Sequence, residues 1–237
     1  MATDSDAQFK PGASASLSSL RSLVILSIAL PVVVYAAVGI YRWQQIRAEA
    51  EVRIDRSLRI AHEHALRVLD TNEAMLGRVL DTLGNEEMPG LRQREKELHD
   101  WLRAATLNKP QVQSIIVHGP NGEPLVSDVR FPMPQVDLSD RDYVRHHQSV
   151  RGQLYVSGLI VGRTNGQTVF TMSRGRNAPD GRFLGLVSMN LLPSYFHDFY
   201  KDLVADEPGL AVNMLREDGS IFTRWPAKSI VILCNAR

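Results

Sequence analysis

The chain has 237 residues, of which 44% are hydrophobic and 22% are charged. This length holds a membrane anchor and one domain of about 100 to 150 residues, which excludes a large multidomain enzyme. The 27 basic and 26 acidic residues leave a net charge of +1, so we predict no nucleic-acid partner. The single cysteine, Cys234, excludes an intramolecular disulfide and a cysteine-based metal cluster.

The first 21 residues are rich in serine, alanine and aspartate and have few apolar side chains. A segment of this composition buries too little apolar surface to fold on its own. We therefore predict that residues 1–21 form a disordered tail.

An uncharged run of twenty residues follows, at 22–41. As a helix it would be about 30 Å long at ~1.5 Å per residue, which matches the hydrocarbon core of a bilayer. Pro31 lies within the run, where membrane helices tolerate proline, and Tyr41 and Trp43 suit the lipid–water interface. We predict a transmembrane helix in contact with membrane lipid, with a cleaved signal peptide as the alternative.

Basic residues stand on both sides of this run, so their count does not decide the orientation. The short leader can remain in the cytoplasm while the rest of the chain crosses the membrane. We therefore predict that the residues after Trp43 are exported and that the protein passes the membrane once.

A long helix is predicted after the anchor, because residues 42–83 contain no proline and one glycine. Apolar side chains recur there with a heptad-like spacing of four and three. The stripe consists of Ile54, Leu58, Ala61, Ala65, Val68, Met75 and Val79, with Asn72 on the same seam. Such a helix either pairs with a second copy, giving a homodimer, or lies along a sheet. On this same helix, His62 and His64 are predicted to be surface residues.

Five strand-like segments follow a helical stretch at 91–107. They lie at 114–118, 123–126, 154–161, 167–173 and 183–190. Turn signals such as Asn121-Gly122 and Asp180-Gly181 separate neighbouring segments, which indicates hairpins and an antiparallel sheet. The predicted fold class is α+β, with a transmembrane helix, a long helix and a five-stranded antiparallel sheet.

Two further elements complete the pattern. Ser139, with Asp142 three residues later, matches a capping box and predicts a short helix that begins there. After a helix at 193–200, the segments 212–215 and 221–223 repeat the first hairpin, with Asp218-Gly219 in the place of Asn121-Gly122. We interpret this repeat as the start of a second lobe at 201–237.

This order of elements resembles the double-Cache (PAS-like) extracytoplasmic sensor domains of bacterial transmembrane receptors. Five segments carry the resemblance: LSDRDY at 138–143, GQLYVSGLIV at 152–161, GR at 162–163, FTMSR at 170–174 and DGRFLG at 180–185. The resemblance covers residues 42–227 and is to the type found in sensor histidine kinases and diguanylate cyclases. It implies a membrane-distal lobe at 42–200, a truncated membrane-proximal lobe, and a periplasmic location on the bacterial inner membrane.

The resemblance also implies a pocket for a small ligand, often an amino acid or a carboxylate, between the short helix and the sheet. Arg141 stands where amino-acid-binding members place an arginine for the carboxylate, and a bidentate guanidinium suits that group. Tyr143 stands at an aromatic position, and Val144 replaces a contact tyrosine. Asn190 replaces the aspartate that meets the amine, which leaves an uncharged ligand, an anion or no ligand open.

Five other side chains are candidates for the pocket: His147, Tyr155, Ser157, Thr171 and Ser173. These five residues, and Arg141 and Tyr143 as well, have an alternative interpretation. Arg141 and His147 also fit the surface of a helix, and Tyr143 and Tyr155 also fit a half-buried core. The three hydroxyl residues also fit a solvated strand face.

We find no GxxxxGK, HExxH, GxSxG or GxGxxG motif in the sequence, so we predict no enzymatic activity, no cofactor and no metal. The predicted function is signal input for a cytoplasmic histidine kinase output that is absent from this chain. A diguanylate cyclase input module, a stand-alone ligand-binding or decoy membrane protein, and a helix-assembly protein are the alternatives.

Overall fold

The computed structural model describes residues 13–163 and 166–226. Contacts divide the chain into two units, the first ending at Arg56 and the second beginning at Ser57. Because the described residues end at 226, the part of the predicted second lobe at 227–237 lies outside them.

The first unit contains the N-terminal part of helix α1 (Ala13–Leu83). Among the described residues, one helix is long and apolar enough to cross a membrane, and none of its apolar window is buried in the protein. This helix includes the predicted anchor at 22–41.

Helix α1 begins earlier than the sequence pattern predicts, at Ala13 rather than after Arg21. The prediction of a disordered tail is therefore wrong for residues 13–21, while residues 1–12 lie outside the described part. No proline or glycine interrupts residues 13–21. A helix already nucleated in residues 22–41 gains one hydrogen bond for each residue that it adds, which favours its extension through this segment.

The second unit holds the remaining elements. After α1 come α2 (Met88–Gln93), α3 (Glu95–Thr106), β1 (Val112–His118), β2 (Pro124–Ser127), α4 (Asp142–Ser149), β3 (Leu154–Val161), β4 (Thr168–Asn177), β5 (Phe183–Leu191), α5 (Pro193–Leu203), β6 (Val212–Leu215) and β7 (Ile221–Trp225).

Strands β1 to β5 form one antiparallel sheet in the order β2-β1-β5-β4-β3, and β6 pairs with β7. The predicted α+β class and the five-stranded antiparallel sheet are confirmed. Strand β4 continues past Ser173 to Asn177, because β5 pairs with it as far as Phe183.

The two faces of the sheet have different environments, since side chains alternate along a strand. On β4, Phe170 and Met172 enter the main core together with Leu76 and Val79 of α1. The intervening Thr171 and Ser173 point to the opposite face, where His147 of α4 contacts Ser173. We call this second surface the α4 face of the sheet.

The heptad-like stripe divides between the core and the surface. Ala61, Val68 and Val79 belong to the core, whereas Leu58 is 62% exposed and Ile54 is also exposed. Asn72 is only 1% exposed, and its Oδ1 accepts from Gln111 Nε2 at 3.4 Å. The expectation that Asn72 serves as a polar position between two helices of a dimer is therefore wrong for this structure, because its side chain is buried within its own chain beside Gln111.

Helix α5 covers another α1 residue, His64. The imidazole stacks on the Phe199 ring with 3.6 Å between centroids and an angle of 7°. The prediction that His64 is a surface residue is wrong, because an aromatic face far along the chain covers it. His62 is exposed, as predicted.

Candidate functional site

The short helix α4 begins later than its capping signal predicts. Ser139 does not cap it, because Asp137 Oδ1 accepts from both the Ser139 backbone N–H and its hydroxyl, at 2.9 and 2.7 Å. Arg141 is the N-cap residue, with extended backbone angles of −68° and 140°. The prediction that Arg141 lies within the first helical turn is therefore wrong, although the residue still lies at the start of α4.

A cavity of about 30 Å³ lies between the loop before α4, the start of α4 and the α4 face of the sheet. Its polar lining consists of Gln113, Arg141, Tyr143, Arg163 and Asn190. Its aliphatic lining consists of Ile116, Met133, Val136, Leu138, Ile160 and Val169, together with Gly162. Ligand sites usually enclose roughly 300 to 1,000 Å³, so the cavity is small in this conformation.

Arg141 presents an unused donor to this region. Its Nη2 donates to the carbonyl oxygen of Val161 at 2.9 Å. Its Nε is buried and has no hydrogen-bond partner among the described residues. Because an unsatisfied buried donor costs about 1–3 kcal/mol, a ligand or water oxygen at this position would be stabilising.

Tyr143 follows two residues later and is almost fully buried, packing with Val144 and Leu186. Burial raises the pKa of its phenol to about 12. The hydroxyl is therefore protonated at neutral pH and can donate a hydrogen bond.

A chain of hydrogen bonds crosses the α4 face of the sheet through Asn190. The Thr171 hydroxyl donates to Asn190 Oδ1 at 2.7 Å, and Asn190 Nδ2 donates to Ser114 Oγ at 2.8 Å. Ser114 Oγ in turn donates to Gln113 Oε1 at 2.7 Å. Ser157 Oγ accepts the backbone N–H of Thr171 at 2.9 Å. Strand pairing creates this row, since Asn190 is in register with both Ser114 and Thr171.

A second polar group lies along α4, from Asp142 to His147. His147 Nε2 is 2.9 Å from Ser173 Oγ, and burial lowers the pKa of this imidazole to about 4. Tyr155 donates to Asp142 Oδ2 at 3.0 Å, and its ring stacks on His146 at 4.3 Å. None of these side chains is among the described residues that line the cavity.

The eight predicted site residues thus fall into two groups, one at the cavity and one in the second polar group. Arg141, Tyr143 and Asn190 line the cavity. Thr171 on β4 donates to Asn190, and Ser157 on β3 accepts the backbone N–H of Thr171. The other three, His147, Tyr155 and Ser173, belong to the second polar group.

Sequence reasoning missed Gln113, Ser114 and Arg163. Arg163 lines the cavity and forms a two-pronged ion pair with Asp140, at 2.8 and 2.6 Å. Strand alternation could have identified Ser114, because its side chain points to the same face of β1 as that of Ile116. No local pattern distinguishes Arg163 from an arginine in a solvated turn.

No protein-family model matches the chain, and no curated protein is significantly similar in sequence. Among solved structures, the extracellular domain of rpHK1S-Z16, a protein assigned as a histidine kinase, is similar with a TM-score of 0.65 and 29% identity, over 76% of this chain and 72% of that one.

Two chemoreceptor domains are similar at 16% identity, which shows the fold alone. The ligand-binding domain of the Campylobacter jejuni chemoreceptor Tlp3, solved with L-norvaline, has a TM-score of 0.56 and aligns over 73% of this chain and 68% of that one. The ligand-binding domain of the Pseudomonas aeruginosa PAO1 amino-acid chemoreceptor PctC, solved with GABA, has a TM-score of 0.51 over 69% of each chain. The resemblance to Cache-like extracytoplasmic sensor domains is confirmed.

Proposed function

We propose that the chain is the signal-input module of a transmembrane receptor. A small extracytoplasmic ligand binds between α4 and the sheet, and the resulting shift passes along α1 to a cytoplasmic histidine kinase. The observation that carries the proposal is the buried, unpartnered Nε of Arg141 beside a cavity in a sensor-type fold. A ligand carboxylate would satisfy this donor with a charge-assisted hydrogen bond.

Strand β4 supplies a physical route from the site to α1. Thr171 on its α4 face bonds the cavity residue Asn190, while Phe170 on the opposite face packs in the core with α1. Arg174, also on β4, forms an ion pair with Glu73 of α1 at 2.8 Å. Arg176 donates to the Gly84 and Glu86 carbonyl oxygens just beyond the end of α1.

A movement of β4 would therefore displace α1, because close-packed interiors transmit displacement instead of absorbing it. A ligand shifts such an equilibrium only through its different affinities for the two arrangements. A bias of about 1–3 kcal/mol is typical for coupling between two sites.

The output and the location of the module are further parts of the proposal. The similarity at 29% identity to a domain from a protein assigned as a histidine kinase favours a kinase over a cyclase. The apolar, unburied part of α1 favours a single membrane passage, with the sheet on the periplasmic side of the bacterial inner membrane. We also propose that residues 201–237 begin a second lobe.

The proposal is tested with the full chain in lipid nanodiscs and a panel of amino acids, monocarboxylates and dicarboxylates. At least one compound should raise the unfolding temperature and change amide hydrogen exchange in residues 61–83 of α1. Arg141→Gln should weaken that binding at least about tenfold, since hydrogen bonds to charged groups contribute ~1.5–3 kcal/mol.

Arg145→Gln, an exposed arginine one turn along α4, is the matched control and should retain both effects. Failure of the whole panel to bind would contradict the proposed function. Binding without any change of exchange in α1 would leave a binding protein that does not signal through this helix.

A further inference from the structure

The electrostatics of the cavity favour an anion. Among the described residues, its lining contains the guanidinium groups of Arg141 and Arg163 and no carboxylate. Arg163 forms an ion pair with Asp140, whereas Arg141 donates to the neutral carbonyl oxygen of Val161. The nearby Asp142 is occupied by the Tyr155 hydroxyl. Asp140 interacts with both guanidinium groups, so the two arginines together leave an excess of positive charge at the cavity wall.

The hydrogen bonds around Asn190 give the cavity the same polarity. Asn190 Oδ1 already accepts from Thr171, and Gln113 Oε1 already accepts from Ser114. Their amide nitrogens keep hydrogens for another partner, since each NH₂ group has two. Tyr143 adds a protonated hydroxyl. Each amide oxygen can accept one further hydrogen bond, but the described lining residues include no carboxylate that would neutralise an ammonium group, so the polar wall favours a ligand oxygen over a ligand ammonium.

The rest of the wall restricts the size and character of the ligand. It is aliphatic, with Ile116 and Val169 from the sheet and Val136 and Leu138 from the loop before α4. A volume of about 30 Å³ holds roughly two water-sized groups, since one such group needs about 10–15 Å³. A carboxylate with a tail of one or two carbons therefore requires the least displacement of the wall.

We infer that this site selects a short aliphatic monocarboxylate without an ammonium group, with Arg141 binding the carboxylate and Asn190 determining selectivity against amines. The inference rests on the proposed function of the site. It adds the chemical class of the ligand, and it distinguishes this chain from the similar domains solved with L-norvaline and GABA.

Propanoate and L-alanine form a suitable probe pair, because they differ only in the ammonium group. Calorimetric titration of the full chain in nanodiscs at pH 7 should give at least about tenfold tighter binding of propanoate, the effect of about one hydrogen bond to a charged group. Arg141→Gln should weaken the binding of both probes at least about tenfold, because both carry the carboxylate, and Arg145→Gln should leave both affinities unchanged.

Asn190→Asp exchanges a donor for an acceptor with almost no change of shape and should shift the preference toward L-alanine by at least about tenfold. If that variant does not fold, Gln113→Glu makes the same exchange on a partly exposed side chain. A wild-type chain that binds L-alanine as tightly as propanoate would overturn the inference and leave the proposed function standing. The inference also fails if neither probe binds, and the proposed function fails with it only if the wider panel gives no ligand.

Discussion

His118 illustrates how burial determines the chemistry of a single residue. Its Nδ1 lies 3.1 Å from the carbonyl oxygen of Gly122, which can only accept, so Nδ1 carries the proton. Its Nε2 then accepts from the Ser188 hydroxyl at 2.7 Å. Both ring nitrogens are satisfied in the neutral form, and burial lowers the pKa of the imidazole to about 4.

We therefore expect the folded state to lose stability in acid. The pKa of His118 is about 4 when folded and 6.5 as its ordinary value. Between these values the unfolded state binds more protons, so stability falls as the pH is lowered through this window. From pH 7 to pH 5 the free energy of unfolding should drop by about 2 kcal/mol from this residue.

Denaturant unfolding of the full chain in detergent, followed by tryptophan fluorescence, measures this slope. His118→Asn keeps a donor for Gly122 and should reduce the pH slope whatever its effect on absolute stability. His62→Asn, at an exposed position, is the control. An unchanged slope in His118→Asn would assign the acid sensitivity to other groups, of which His147, also with a pKa of about 4, is the first to test.

At the level of elements, the sheet depends on a close approach between β1 and β5. Gly185 has a φ of +117°, and a Cβ built there would lie 2.0 Å from the carbonyl oxygen of His118. A backbone oxygen within a strand pair cannot move away without breaking the pairing. Only glycine combines this φ with this approach.

Gly185→Ala should therefore destabilise the protein by roughly 3 kcal/mol or more, from strain and loss of β1–β5 pairing. Gly158→Ala in β3 is the matched control, because its Cβ would meet no atom within 4 Å. The control should change stability by less than about 1 kcal/mol. Equal unfolding midpoints for the two variants would show that β1 and β5 adjust to the extra carbon.

At the level of the whole molecule, part of α1 exposes apolar side chains in a single chain. Ile54 and Leu58 are exposed, whereas Ala61 and the later stripe residues pack in their own core. A helix with an exposed apolar seam is suited to pair with a second copy. The homodimer remains a prediction, with the contact between the two copies limited to the exposed seam at Ile54 and Leu58.

Leu58→Asp should weaken the dimer in sedimentation of the full chain in detergent, because it places a charge in an apolar seam. Ile60→Asp is a matched control, since residue 60 lies about 200° around the helix from residue 58. A wild-type chain that remains monomeric at high concentration contradicts the prediction. Equal weakening by both substitutions would place the contact elsewhere.

The sequence by itself determined the elements, because periodicity and turn chemistry are local properties of the chain. Strand β3 was predicted with its observed bounds, and Asp180-Gly181 lies at the turn between β4 and β5. Three of the eight candidate site residues, Arg141, Tyr143 and Asn190, line the cavity. They were obtained from a family resemblance and not from any local rule.

The tertiary structure alone decided which surfaces are covered and which side chains meet. Asn72 is buried beside Gln111, and Phe199 of α5 stacks on the partly buried His64, so contacts with distant parts of the chain cover both side chains. The Ser139 hydroxyl donates to Asp137 instead of capping the helix, so α4 begins at Asp142 and not at the predicted position after Ser139. Gln113 and Arg163 reach the cavity only because strand pairing and the loop before α4 bring separate segments together, and no local pattern in the chain encodes that meeting.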